Sequence, residues 1–201
     1  AGTTLTLAGS GTTLSVQDSL LIYNAELADG GKTVQLATST TTTTSVIYNS
    51  GLHSGAGEIE IVDNDPTLIT GDGTGIFENI NLNNSDASGS PVSLGANTII
   101  NGELTFSQSN KLFNISTYNL HLNATAIVTG TSATEYIQIA GNVGDGGLTR
   151  EYTSTTALDF PIGVSNYTPA SIGFSSAPST YGSITIIPVN FEHTATSTDN
   201  E

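Results

Sequence analysis

The 201-residue chain has no cysteine, no methionine and no tryptophan. Without cysteine it can build neither a disulfide scaffold nor a thiolate metal site. Secretion stays compatible with that absence, because long β-solenoids gain stability from stacking rather than crosslinks. Positive charge is almost as scarce. Three Lys+Arg stand against 18 Asp+Glu, a formal net charge of −15. Such a field repels nucleic acid and anionic lipid, and neither is expected as a partner. No run of about 18 apolar residues occurs, so no membrane-spanning helix is expected. The opening "AGTTLTLAGS" has neither the basic region nor the continuous apolar stretch of a signal peptide. If the protein is exported, a mature form is expected.

Helix signals are also nearly missing. The best of them is "VQDSLLIYNAELADGG", where Leu20, Leu21, Tyr23, Asn24 and Leu27 could share a face closed by Gly30-Gly31. Reading "SLLIYNAEL" as a strand and a corner agrees better with its neighbours. What the chain does hold is short β-branched runs separated by Gly, Asn and Ser: "TTLTL", "TTLSV", "KTVQL", "SVIYNS", "GEIEIVD", "PTLIT". That is an all-β pattern of many short strands.

A repeat runs through the middle. Ile80, Ile100 and Leu120 recur at equal intervals, and Asn recurs in the same frame, Asn81 with Asn101 one interval apart, Asn79 with Asn119 and Asn83 with Asn123 two intervals apart. A period near 20 is too short for a βαβ unit, which needs about 30 residues. It suits one coil of a parallel β-helix, with like residues stacked from coil to coil. "VSLGANTIINGELTF" (92–106) poses the alternative. Asn101-Gly102 between apolar runs is also a strong hairpin signal. The repeat favours a coil corner over a hairpin tip. Ile80, Ile100 and Leu120 are then expected to share one buried column, and the Asn side chains to form ladders.

From about residue 131 the texture changes to alternating strands, Gly-rich turns and Pro161, Pro169, Pro178 and Pro188. Prolines of this kind mark edges and turns. The expected organisation is a β-solenoid over 1–130. An antiparallel, sandwich-like β unit over 131–201 would come after it, cut short at its C-terminal end within a longer polypeptide.

The stretch 76–130 resembles the repeats of large secreted surface proteins of Bacteroidetes-type bacteria. Phe77 to Asn83, Val92 to Asn97, Ile100 to Phe106 and Asn119 to Asn123 fit the repeat pattern in order. The stretch 146–174 resembles the segment C-terminal to those repeats in the same proteins. Gly147, Leu148, Thr149, Arg150, Phe160, Pro161, Gly163, Tyr167, Thr168 and Pro169 match it. The resemblance implies a pectin-lyase-like β-helix, export by the type IX route and display at or beyond the outer membrane. It carries structural positions and implies no active site.

Candidate site residues fall into separate groups. Asp63, Asp65 and Asp72 are hard oxygen donors on turns and are the candidates for Ca²⁺. Their spacing matches no EF-hand, and solvated turn carboxylates are the plainer reading. A polysaccharide lyase needs a base and a cation that neutralises the uronate. Only Lys32, Lys111 and Arg150 are available, far apart in sequence. His53, His121 and His193 are dispersed, no G-x-S-x-G occurs, and no acidic pair recurs on one strand face. The Thr cluster "ATSTTTTTS" (37–45) does not repeat on other coils, which argues against an ice-binding surface. Sequons begin at Asn83, Asn114, Asn123 and Asn166, and Asp18-Ser19-Leu20 fits an Asp-Ser/Thr-apolar O-glycosylation pattern with Ser19 as acceptor. Tyr118, Tyr152 and Tyr167 lie near expected turns and could stack on sugars or pack strand ends.

The expected protein is therefore a non-catalytic extracellular structural or adhesive module, a stalk or filament former. It requires no cofactor and has Ca²⁺ as its one candidate ion. Its partners would be copies of itself, other surface proteins or glycans. A carbohydrate-binding or polysaccharide-processing β-helix protein is the alternative.

Overall fold

The computed structural model describes residues 2–37, 44–84 and 91–191. Every regular element among them is a β-strand. The chain winds as a parallel β-solenoid of about six turns. The first coil holds β1 (Thr3–Thr6), β2 (Thr13–Gln17) and β3 (Ser19–Ile22). The second holds β4 (Ala25–Ala28), β5 (Thr33–Ala37) and β6 (Ser45–Asn49). The third holds β7 (Leu52–Ser54), β8 (Glu58–Ile61) and β9 (Thr67–Gly71). In the fourth and fifth coils the first two strands fuse: β10 (Ile76–Leu82) precedes β11 (Val92–Leu94), and β12 (Thr98–Phe106) precedes β13 (Leu112–Ser116). The sixth holds β14 (Leu120–Leu122), β15 (Ile127–Thr129) and β16 (Tyr136–Ile139). Then come β17 (Leu148–Glu151), β18 (Leu158–Phe160), β19 (Ile162–Gly163), β20 (Ala170–Ile172) and β21 (Ser183–Ile186).

Each strand of the coils pairs in parallel with its counterpart one coil on, so the hydrogen bonds run along the solenoid axis. Three faces result. The first runs β1-β4-β7-β10-β12-β14-β17, the second β2-β5-β8-β10-β12-β15, and the third β3-β6-β9-β11-β13-β16-β19. Strand residues alternate inward and outward, so apolar side chains at every second position meet inside the coil. One column stacks Leu14, Val34, Ile59, Ile80, Leu104 and Val128. Ile59, Ile80 and Leu104 are completely enclosed. Each such side chain contributes about 1.5–3 kcal/mol relative to exposure.

The expected shared column does not form. Ile80, Ile100 and Leu120 are all buried and lie on successive coils. However, Ile80 stands against Ile59 and Leu104, Ile100 against Phe77 and Leu122, and Leu120 against Thr98 and Leu148. Coil length varies with the turns between faces. Asn97 and Asn119 are coil neighbours 22 residues apart, whereas Asn119 and Gly147 are 28 apart. A fixed interval of 20 therefore samples different columns. The Asn ladders are real but obey the true register. Asn97 Oδ1 accepts from the Asn119 N–H at 2.9 Å, and Asn101 Oδ1 accepts from Asn123 Nδ2.

Asn101-Gly102 is a corner inside β12, not a hairpin tip. Ile100 pairs with Phe77 and Glu103 with Asn79, so two residues of β12 oppose one of β10. The bulge turns the strand from the first face to the second. Gly102 is needed there because a Cβ would lie 2.3 Å from Asn79 Oδ1 and 2.7 Å from the Glu78 carbonyl. The "SLLIYNAEL" stretch is β3, a corner at Asn24 (φ 48°) and β4. Asn adopts this left-handed conformation more readily than other side-chain-bearing residues.

Parallel stacking continues beyond residue 130. β16 pairs with β13, β17 with β14 and β19 with β16, all in parallel. Among the described residues antiparallel strand pairing is limited to β17 with β21 and β18 with β20. It forms a small covering over the last coil.

Candidate functional site

The Ca²⁺ candidates each have local partners. Asp63 is fully buried, accepts from Ser45 Oγ and takes the Asp65 N–H at 3.1 Å, which shapes the β8–β9 turn. Asp72 is exposed. Its Oδ1 accepts from Thr74 Oγ1 at 2.7 Å and Thr74 N at 2.9 Å, which hold its carboxyl below the usual range. Among the described residues no three His, Asp or Glu side chains are grouped to hold a metal. Ser19 begins β3 and is exposed.

The three cations are separate. Lys32 Nζ donates to the Gly9 and Gly11 carbonyls at 2.7 Å each, tying down the β1–β2 loop. Lys111 is buried at the start of β13. Arg150 is buried on β17. Of the histidines, His121 is half-buried on the outer side of β14, between Ile99 and Thr149. His193 and residues 38–43 of the Thr cluster lie outside the described residues. Tyr152 belongs to the core: its hydroxyl donates to the Ile172 carbonyl at 2.8 Å and its ring meets Phe174 edge-on at 5.1 Å. Tyr118 packs against the core. Tyr167 is half-buried beside Tyr136, with ring centroids 5.6 Å apart. Of the sequon residues, Asn83, Asn114 and Asn123 are held in hydrogen bonds, and Asn166 is exposed.

Three arrangements were not apparent from the sequence. The first is a buried His53–Asp29 pair, with Nε2 3.1 Å from Oδ2 and both side chains fully enclosed. The contact misses hydrogen-bond alignment, and Nδ1 has no partner. Asp29 Oδ1 instead takes the N–H groups of Gly31 (2.6 Å) and Gly57 (3.0 Å). Gly55, at φ +123°, leaves room for that carboxylate: a Cβ there would lie 2.2 Å from Oδ1. Burial pushes the His53 imidazole below its ordinary value, against the pull of Asp29. The pair is closed to solvent and braces the second and third coils.

The second arrangement is an acidic groove of about 290 Å³ on the second face, lined by Thr33, Glu58, Asn79, Glu103 and Thr105 among others. Partial burial raises the Glu58 carboxyl, aided by Glu60 and Glu103 and opposed by a hydrogen bond from Asn81. Gly-Glu at 57–58 and at 102–103 was the legible signal, two coils apart at the same corner.

The third is a cavity of about 360 Å³ where the β18–β20 pair meets the last coil, lined by Thr131, Arg150, Asp159, Tyr167, Pro169 and Ser171 among others. The sequence named Arg150 and Tyr167 singly and could not bring them together. Arg150 Nη1 donates to the Asp159 carbonyl at 3.1 Å and Nη2 to the Ala126 carbonyl at 2.7 Å. Nε is buried without a partner. Desolvation pulls this guanidinium below its ordinary value, with Tyr152 and Asp159 opposing.

No family model, curated protein or solved structure matches the chain.

Proposed function

We propose that the chain is a non-catalytic structural and adhesive module of the bacterial cell surface, acting outside the cell as a stiff spacer. The observation that carries this reading is the continuous parallel register from β1 to β17, with polar side chains laddered on the outside. Such a stack resists bending and stretching because its hydrogen bonds lie along the axis. Outward steps such as Gln35 Nε2 to Glu60 (2.9 Å), Asn83 Nδ2 to Glu60 (2.6 Å) and Thr129 Oγ1 to Glu103 (2.7 Å) keep the surface hydrated and ordered. The ordered motifs of 76–130 that resemble secreted surface repeats are what supports a location outside the cell.

Association with copies of itself or other surface proteins belongs to the same reading. Leu5, Leu14, Leu21 and Tyr23 are exposed on the first coil, and Leu5 and Leu14 head buried columns. A strand-bearing partner would extend that edge. Electron microscopy and sedimentation of purified protein test it: assemblies joined through the first coil are expected, and monomers at all concentrations would remove the filament role. Ca²⁺ remains a candidate ion, tested by whether chelation changes the melting temperature.

A second reading is favoured by the acidic groove. A raised Glu58 facing the same groove as Glu103, two coils on with Asn79 between them, is the type of separated carboxylate pair a glycoside hydrolase uses. Release of reducing ends from any polysaccharide, lost in Glu58→Gln, would replace the structural reading.

A further inference from the structure

We propose that the cavity beside Arg150 binds a carboxylate-bearing sugar residue of the uronic acid type, with the Arg150 guanidinium taking the carboxylate. The inference goes beyond the spacer reading and does not depend on it.

The chain places its single arginine at the end of a buried column. Arg150 stands in register with Leu122, which itself pairs with Ile100. The column is apolar through those coils and becomes cationic only at the wall of the cavity. Arg150 is 6% exposed, and its hydrogen bonds go to two backbone carbonyls rather than to a carboxylate. Asp159 favours its charge only at a distance, with no carboxylate among the described residues in ion-pair contact. Burying a cation so weakly compensated is expensive, and an apolar side chain would fill the column at lower cost. The buried Nε–H adds an unmet donor. A guanidinium with donors to spare is matched by a planar carboxylate.

The rest of the cavity suits a sugar. Tyr167 and Pro169 offer apolar surface, and a ring with axial C–H groups can lie against an aromatic side chain. Thr131 and Ser171 carry hydroxyls, and the Asp159 carboxylate accepts from sugar hydroxyls. A volume of about 360 Å³ is at the small end of ligand pockets and fits one or two sugar rings. The net charge of −15 repels a long polyanion. Short or terminal uronic acid units are therefore the class that fits.

The test is calorimetric titration of the whole chain with galacturonic acid and its trimer, and with galactose and its neutral trimer. The acids are expected to bind at least tenfold more tightly than their neutral counterparts. Arg150→Lys, which keeps charge but loses the fork, should weaken acid binding tenfold or more. Tyr167→Ala should weaken it severalfold while the variant still unfolds in one cooperative transition well above the titration temperature, so the proposal stays testable if the Arg150 variant fails to fold. Lys32→Gln, at the far end of the solenoid, should leave binding unchanged. No binding by the unmodified chain, equal affinity for acid and neutral sugar, or indifference to Tyr167→Ala would each overturn the proposal.

Discussion

The two ends of the solenoid are built differently. At the first coil, β1, β2 and β3 present outer edges with no strand beyond them among the described residues. Leu5 is 62% exposed there, although Leu27, its partner one coil on, is buried. At the last coil β21 runs antiparallel along β17, and the β18–β20 pair folds beside it. A parallel stack has no internal reason to stop, because each coil leaves a template for the next. The reversed strand supplies the stop at one end. The difference also separates two kinds of stability, since the same side-chain type contributes fully only when a coil lies on both sides of it.

The strongest test of that contrast uses one column. Leu104→Ala, with Ile80 below and Val128 above, should cost about 2–5 kcal/mol. Leu14→Ala, at the head of the same column, should cost less than about 1 kcal/mol. Urea unfolding of both variants compares them, and similar losses would mean that the first coil is covered in solution.

Gly102→Ala should come next, at about 1–3 kcal/mol, because its new methyl meets Asn79 and the Glu78 carbonyl at the corner. This corner also shows how far the sequence could be read. Strand texture, coil winding and the Asn101-Gly102 corner were all legible, because alternation and turn chemistry are local. Register was not. It depends on turn lengths between faces, so residues 20 apart fell in different columns. The candidate sites were less legible still. Arg150 and Tyr167 line one cavity only because β18 and β20 fold back against the sixth coil, and no local pattern encodes that approach. Asp29 and His53 meet because one full coil separates them, an interval visible only after the register is known.

A smaller effect concerns acid. Burial holds His53 below its ordinary value near 6.5, so the unfolded chain takes up the proton first. Stability is full above about pH 6.5 and is lost as pH falls toward the lower folded value. Melting temperature should decline over this window, and His53→Gln should flatten the decline. The smallest expected effect has the opposite sign. Glu58 is raised by partial burial and by Glu60 and Glu103, so its charged form works against folding at neutral pH. Glu58→Gln should raise stability by less than about 1 kcal/mol, as expected for a half-exposed group.

The register itself is the claim on which the columns, the groove and the cavity depend, and the cysteine-free chain allows a clean measurement of it. Asn81 and Thr105 are neighbours on adjacent coils, whereas Asn101 sits four residues before Thr105, across the corner. A disulfide needs Cα atoms within about 7 Å. Under mild oxidation the double variant Asn81→Cys/Thr105→Cys should crosslink rapidly and retain its melting temperature, while Asn81→Cys/Asn101→Cys should stay reduced. Crosslinking of the second pair in preference to the first would contradict the stacked register.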